Sequence, residues 1–504
     1  MVRRAALSAT LSRAPLGLAA PLVRVEVHLG AGLPQFAIVG LPEAVVRESR
    51  ERVRAALVSA GFEFPAARIT VNLAPADLPK EGGRFDLPIA VGVLTATGQL
   101  PRDCAASREF YGELSLGGEL RETSKLLPAL IAGAADGREL IVPAANAAEA
   151  SLVPAARIRL ARDLPQLRAA LIGHAPLPPP PPPMPVETPP VADLADVRGQ
   201  ARAKRALEIA AAGEHGLLLI GPPGTGKTML AQRLGGILPP LDAEERLEVA
   251  SLESAAGTCP RGMPARPFRA PHHTASVAAL IGGGSRPGEI SRAHRGVLFL
   301  DELPEFPRNA LEALREPLES GTVVLARAKR CYEWPAAFQL VAAMNPCPCG
   351  YHGDPRGRCR CTAELVRRYR ARVSGPLLDR IDVHVELAMP AATEVACDER
   401  DAAVAERSVE VAERVVRARR AQLERQGKPN ARLAPAELTG YCMLDRLGAA
   451  LAARAYQRLG LSVRAHQRVL KLARTCADLA GSARIEATHV AEAISLRALD
   501  RPAA

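Results

Sequence analysis

Gly221-Pro222-Pro223-Gly224-Thr225-Gly226-Lys227-Thr228 is a glycine-spaced loop that ends in Lys-Thr. The apolar run 216–220 before it reads as a short buried strand, and 227–238 after it reads as a helix. Strand, loop and helix in that order are the context that gives a Walker A pattern its meaning. Its glycines let backbone N–H groups turn inward on phosphates, and the helix start adds partial positive charge. Lys227 is the candidate for the β- and γ-phosphates of ATP, and Thr228 the candidate ligand for Mg²⁺. Gly221, Pro222, Pro223, Gly224, Thr225 and Gly226 form the cradle.

Further along, Gly296-Val297-Leu298-Phe299-Leu300-Asp301-Glu302 places two carboxylates at the end of a four-residue apolar run. Alone this is any buried strand meeting an acidic loop. Downstream of a Walker A loop it reads as Walker B, with Asp301 holding the Mg²⁺ shell and Glu302 polarising the attacking water as general base. The run 338–344 supplies another apolar strand, consistent with a parallel α/β sheet.

Outward from this core the chain divides. Pro178 to Pro183, then Pro185, Pro189 and Pro190, form an extended semi-rigid spacer. The expected organisation is an α+β domain over 1–175, a linker over 176–192, a nucleotide-binding core over 193–395 and a helical lid over 396–504. Within 1–175, segments 23–27 and 68–73 alternate like strands and 43–60 reads as an amphipathic helix.

The 504 residues carry a formal charge of +11, most of it arginine. That balance fits an anionic partner such as DNA, although base composition of a gene produces the same bias. With 48% hydrophobic residues the chain can bury sizeable cores, so disordered and fibrous classes are excluded. No run approaches the roughly 20 apolar residues of a membrane span, and Arg13, Pro15 and Pro21 interrupt the N-terminal apolar stretch, against a signal peptide. Four of the ten cysteines crowd between Cys347 and Cys361. The pairs Cys347-x-Cys349 and Cys359-x-Cys361 suit a tetrahedral Zn²⁺ site in a reducing cytoplasm, with ordinary thiols as the plainer alternative. His272 and His273 read as polar loop residues near nucleotide or DNA rather than metal ligands.

The run 287–302, together with Asn345-Pro346-Cys347-Pro348-Cys349-Gly350 and the segment 374–382, resembles the magnesium-chelatase-like AAA+ family called YifB or ComM. The resemblance implies that Asn345 is the sensor-1 residue, Arg380 the arginine finger of a neighbouring subunit's site and Arg464 the sensor-2 arginine of the lid. It implies a homohexameric, cytoplasmic ATPase without a membrane partner, acting in helicase or branch-migration work on DNA. In related hexamers a hairpin such as 322–334 points into the pore. Its basic tip, Arg327, Lys329 and Arg330, would track a phosphate backbone, although a hairpin making subunit contacts reads equally well.

Segments 80–88 and 112–118 resemble the Lon-protease-like domain of bacterial ATPases. No serine lies in 80–90 and no matching lysine is evident downstream, so a non-catalytic scaffold is expected over a protease. A magnesium-chelatase motor subunit, inserting metal into a porphyrin, is a further alternative. A nucleotide-switched scaffold is disfavoured by the intact Asp301-Glu302 pair.

Overall fold

The computed structural model describes residues 6–40, 44–184, 192–327, 330–354, 356–389 and 406–500. It is a mixed α/β structure built on two main sheets. The first joins β1 (Ala6–Arg13), β2 (Leu22–Gly30), β3 (Gln35–Val39), β4 (Arg68–Ala74) and β5 (Arg108–Phe110). After a hairpin of two-residue strands, β6 (Glu113–Leu114) and β7 (Leu120–Arg121), come β8 (Glu139–Pro143) and β9 (Arg157–Ala161). The order is β3-β4-β2-β1-β5-β8-β9, antiparallel across β1–β2–β4 and parallel from β1 through β9. The helix Asp86–Ala96 covers it, nearly every residue buried, which its apolar sequence requires.

The second sheet carries the Walker loops. It consists of β10 (Leu217–Ile220), β11 (Phe268–Arg269), β12 (Val297–Leu300), β15 (Gln339–Met344) and β16 (Val383–Glu386); the hairpin β13 (Thr322–Arg327) and β14 (Arg330–Pro335) forms a separate two-stranded sheet. The order of the five-stranded sheet is β11-β12-β15-β10-β16, parallel throughout. Every residue of β10, β12 and β15 is buried, as expected of central parallel strands covered on both faces.

Alternation along each strand divides the core in two. Leu217, Leu219, Val297, Phe299, Val341 and Ala343 face one layer, where the helices Ala201–Gly213, Ser408–Gln426 and Val463–Leu479 pack. Leu218, Ile220, Leu298, Leu300, Leu340 and Ala342 face the other, with Leu311, Leu314 and the base of the hairpin. The C-terminal helices therefore cover a face of the sheet.

The N-terminal sheet docks on the nucleotide-binding part. Ala250 joins a cluster with Leu127, Leu130 and Leu140, and Ser254 Oγ donates to Glu149 Oε1 at 2.5 Å. Leu16 and Leu18 pack beside Trp334, which is fully buried and donates Nε1–H to Gly284 O at 3.2 Å. As the one tryptophan on the hairpin it could serve as an optical probe of the tip. Its ring instead belongs to the core, because the pleat turns Val323, Tyr332 and Trp334 inward.

Beside the loop 80–88, Lys125 Nζ lies 3.3 Å from Glu81 Oε2. Buried Arg84 occupies the loop and donates to the carbonyls of Ser124 and Lys125 at 2.5 and 3.1 Å. Burial lowers its pKa to about 10. No serine faces Lys125 from 80–90, since that stretch contains none.

Candidate functional site

Parallel register brings the ends of three strands to one edge. Ile220 pairs with Met344, and Leu300 with Ala342. Gly221, Asp301 and Asn345 therefore emerge side by side. Gly221 N donates to Met344 O at 3.2 Å, and a Cβ at Gly221 would stand 2.8 Å from Leu387 O, so only glycine fits. Gly224 and Gly226 have φ of +79° and +85°, the left-handed region that glycine enters without strain. Thr225 Oγ1 donates to Pro222 O at 2.9 Å and closes the loop.

Lys227 Nζ reaches Gly221 O at 2.6 Å, Pro222 O at 2.9 Å and Asn345 Oδ1 at 3.1 Å. Burial lowers its pKa, while Asp301 and Glu302 pull the other way. Thr228 Oγ1 donates to Asp301 Oδ2 at 2.6 Å, so the two residues expected at Mg²⁺ are in direct contact. Asp301 Oδ1 accepts from Glu302 N at 2.9 Å.

Glu302 adopts φ of +54°, an uncommon conformation for a non-glycine residue. Its Oε2 lies 3.2 Å from His273 Nδ1, and the rings of His272 and His273 stack at 4.1 Å. The sequence placed these histidines in a polar loop near nucleotide or DNA; the pairing of His273 with Glu302 becomes visible only once β11 lies beside β12. Tyr369 is another neighbour that sequence reasoning missed. Burial, reinforced by Glu305 and Glu302, pushes its phenol up to about 12.

Two expected site residues lie elsewhere. Arg380 precedes β16, where Asp382 N and Val383 N donate to Gly216 O. It thus sits at the N-terminal edge of the sheet, about 13 Å of strand away from the phosphate loop. Its guanidinium pairs with Glu319 and donates to Pro376 O at 2.6 Å. Arg380 and Arg464 line one cavity of about 520 Å³, together with Gln467, Arg468 and Lys471. Arg468 pairs with Asp382. Burial alone would raise the Asp382 carboxyl, but Arg468 and His215 hold it far below the usual range.

The four clustered cysteines converge. Their sulfurs all lie within 4.8 Å of one another. Backbone N–H groups of Tyr351 and Arg360 draw the Cys349 thiol down to about 6. On the hairpin, Arg327 and Arg330 form the last cross-strand pair. Ala328 and Lys329, between them, lie outside the described residues.

A strand-borne phosphate loop, with an Asp-Glu strand one strand removed across β15 in a parallel sheet, defines a P-loop nucleotide-binding protein of the AAA+ type. Comparison with known proteins narrows the class. The family described as magnesium chelatase, subunit ChlI, matches residues 193–395. Subunit ChlI of Mg-chelatase matches 25–146, and the ChlI C-terminal family matches 405–497. The YifB protein of Salmonella typhimurium is 49% identical over 495 residues, covering 97% of each chain. The competence protein ComM of Haemophilus influenzae is 48% identical over 505 residues, covering 98% of each. The magnesium-chelatase 38 kDa subunit of Rhodobacter capsulatus is 28% identical over 181 residues, 32% of this chain and 52% of that one. The chain belongs to the YifB/ComM family of magnesium-chelatase-like AAA+ proteins. Among the described residues, no helix is long and apolar enough to cross a membrane.

Proposed function

We propose that this chain is a cytoplasmic, ATP-hydrolysing motor that works as a homohexamer on DNA, in helicase or branch migration during recombination of incoming DNA. The observation that carries the ATPase reading is the convergence of Lys227, Thr228, Asp301 and Asn345 at one sheet edge, with Glu302 adjoining. In this reading 1–175 is a non-catalytic Lon-like scaffold, 176–192 a spacer, 193–395 the motor and 396–504 its helical lid. The backbone of the loop and Lys227 hold the phosphates, and Thr228 and Asp301 hold Mg²⁺, which neutralises charge on the transferring phosphoryl group. Glu302 orients and deprotonates water, Asn345 positions it, and His273 holds Glu302 in place.

The similarity to a competence protein supports the DNA-uptake setting, and the net charge of +11 supports a polyanionic partner. A metal-insertion motor is the second reading, favoured by the shorter similarity to magnesium-chelatase subunits. ATP turnover measured with and without forked or four-way-junction DNA separates them. Stimulation by junctions is the expected outcome, and indifference to every DNA structure would overturn the DNA assignment.

The hairpin supplies a second prediction. Replacing Arg327, Lys329 and Arg330 together with alanine is expected to lower affinity for unrelated DNA sequences by similar factors. The slope of log affinity against log salt should flatten by about 2–3, since each phosphate contact contributes about 0.9. Basal ATPase should survive. Unchanged affinity and slope would assign the grip to another surface.

A further inference from the structure

The cysteine loop begins two residues after Asn345, the side chain that accepts from Lys227. It then folds back onto the phosphate loop itself. Gly350 has φ of +84°, and a Cβ there would stand 2.7 Å from Pro223 Cδ, so the two loops are in direct contact. The turn closes through Gly350 N to Cys347 O at 2.9 Å. On the exit side, Thr362 caps the helix Ala363–Arg370, and Arg370 Nε donates back to Pro346 O at 3.2 Å.

What orders this loop is not an apolar core. Of the four cysteines only Cys347 is fully buried. The contacts along the loop are polar or at the surface: Asp354 with Arg358 at 2.5 Å, and Arg358 over the Tyr351 ring at 4.3 Å. A loop of this composition needs a staple. The sulfurs are spaced for one. Cys347 and Cys349 are 3.3 Å apart, Cys347 and Cys359 3.9 Å, and Cys349 and Cys359 3.7 Å. These separations are too long for disulfides and close to the ~3.8 Å edge of a tetrahedron with Zn–S bonds of ~2.3 Å.

We propose that Cys347, Cys349, Cys359 and Cys361 bind one Zn²⁺, and that the metal braces the nucleotide pocket by holding Gly350 against Pro223 and fixing the start of the loop at Asn345. Zinc occupancy then sets nucleotide affinity, although no cysteine touches nucleotide. The brace rests on the ATP-site reading above; the metal site does not.

Three measurements on the full chain test this. Protein purified without chelator should contain about one Zn²⁺ per chain, as expected for a closed four-sulfur site; a metal-free protein whose four thiols titrate freely would overturn the site. Displacing zinc with a mercurial in the presence of a chelator should weaken binding of a fluorescent ATP analogue by about tenfold or more, the scale at which a displaced positioning element acts. Circular dichroism recorded on the same sample must show the chain still folded, and unchanged affinity would overturn the brace. Gly350→Ala should keep its zinc yet lose affinity comparably, because the added methyl meets Pro223; a zinc-loaded variant binding like the parent would also overturn the brace. Zinc-loaded parent protein that binds no ATP analogue would instead overturn the ATP-site reading and the brace with it, while the zinc count stands.

Discussion

Lys227→Ala is expected to abolish nucleotide binding or turnover, whereas Glu302→Gln is expected to retain binding and stop hydrolysis. The two outcomes differ because the residues do different work in the proposed mechanism. Lys227 is a half-buried cation whose ammonium already gathers Gly221 O, Pro222 O and Asn345 Oδ1 at 2.6–3.1 Å. Phosphate oxygens would take over these donors, and alanine offers none. Among the described residues no hydrogen bond links the Glu302 side chain to the loop, so an amide of the same size leaves the cradle intact. It removes the carboxylate that accepts the proton of the attacking water, a loss of about 10²–10⁴ in rate. Binding of a fluorescent ATP analogue and phosphate release under single-turnover conditions report the two steps separately. Near-normal turnover in Glu302→Gln would refute the general-base role. His273→Ala provides a graded comparison: it leaves the carboxylate present but unpaired, so a fall in kcat smaller than that of Glu302→Gln, with unchanged nucleotide affinity, is expected.

How much of this was legible in the sequence follows from how local each feature is. The runs at 217–220 and 297–300 are read easily, because four apolar residues ending in a glycine loop or an acidic pair admit few structures. The left-handed conformations at Gly224 and Gly226 are likewise written into the residue type. Short strands escape such reading. The run Arg108–Phe110 and the two residues Phe268–Arg269 are too brief to show a period, and only their neighbours make them strands. Contacts between distant segments escape it altogether. Nothing near His273 announces Glu302, and nothing near Gly350 announces Pro223. The lack of a serine in 80–90 is plain in the sequence, while the place of Lys125 beside Glu81 is not, because it depends on the docking of a later turn. The burial of Trp334 is likewise not legible from its place on a hairpin with a basic tip, since successive residues of a strand face opposite ways.

Arg380 is expected to act in trans. It leaves the sheet at the edge where β10 begins, whereas the phosphate loop leaves the edge where β10 ends. An arginine side chain cannot span the ~13 Å of strand together with the loop beyond it. If Arg380 serves ATP hydrolysis, it serves the site of a neighbouring copy. Arg464 lines the same cavity, so both arginines would approach that neighbour from one face. Their pairing with this chain's own groups sets the condition for doing so: Arg380 must leave Glu319 to engage a phosphate. Arg380→Ala alone should reduce turnover by about 10³–10⁵, the range in which a finger acts, with nucleotide affinity largely kept. Rings mixed from Arg380→Ala and Lys227→Ala copies should regain part of the activity, because some interfaces then combine an intact loop with an intact finger. Glu319→Gln should raise turnover modestly or leave it unchanged, by freeing the guanidinium. Verified mixed rings that remain inactive would refute the trans assignment, and Arg380 would then be a structural partner of Glu319 and the Pro376 carbonyl.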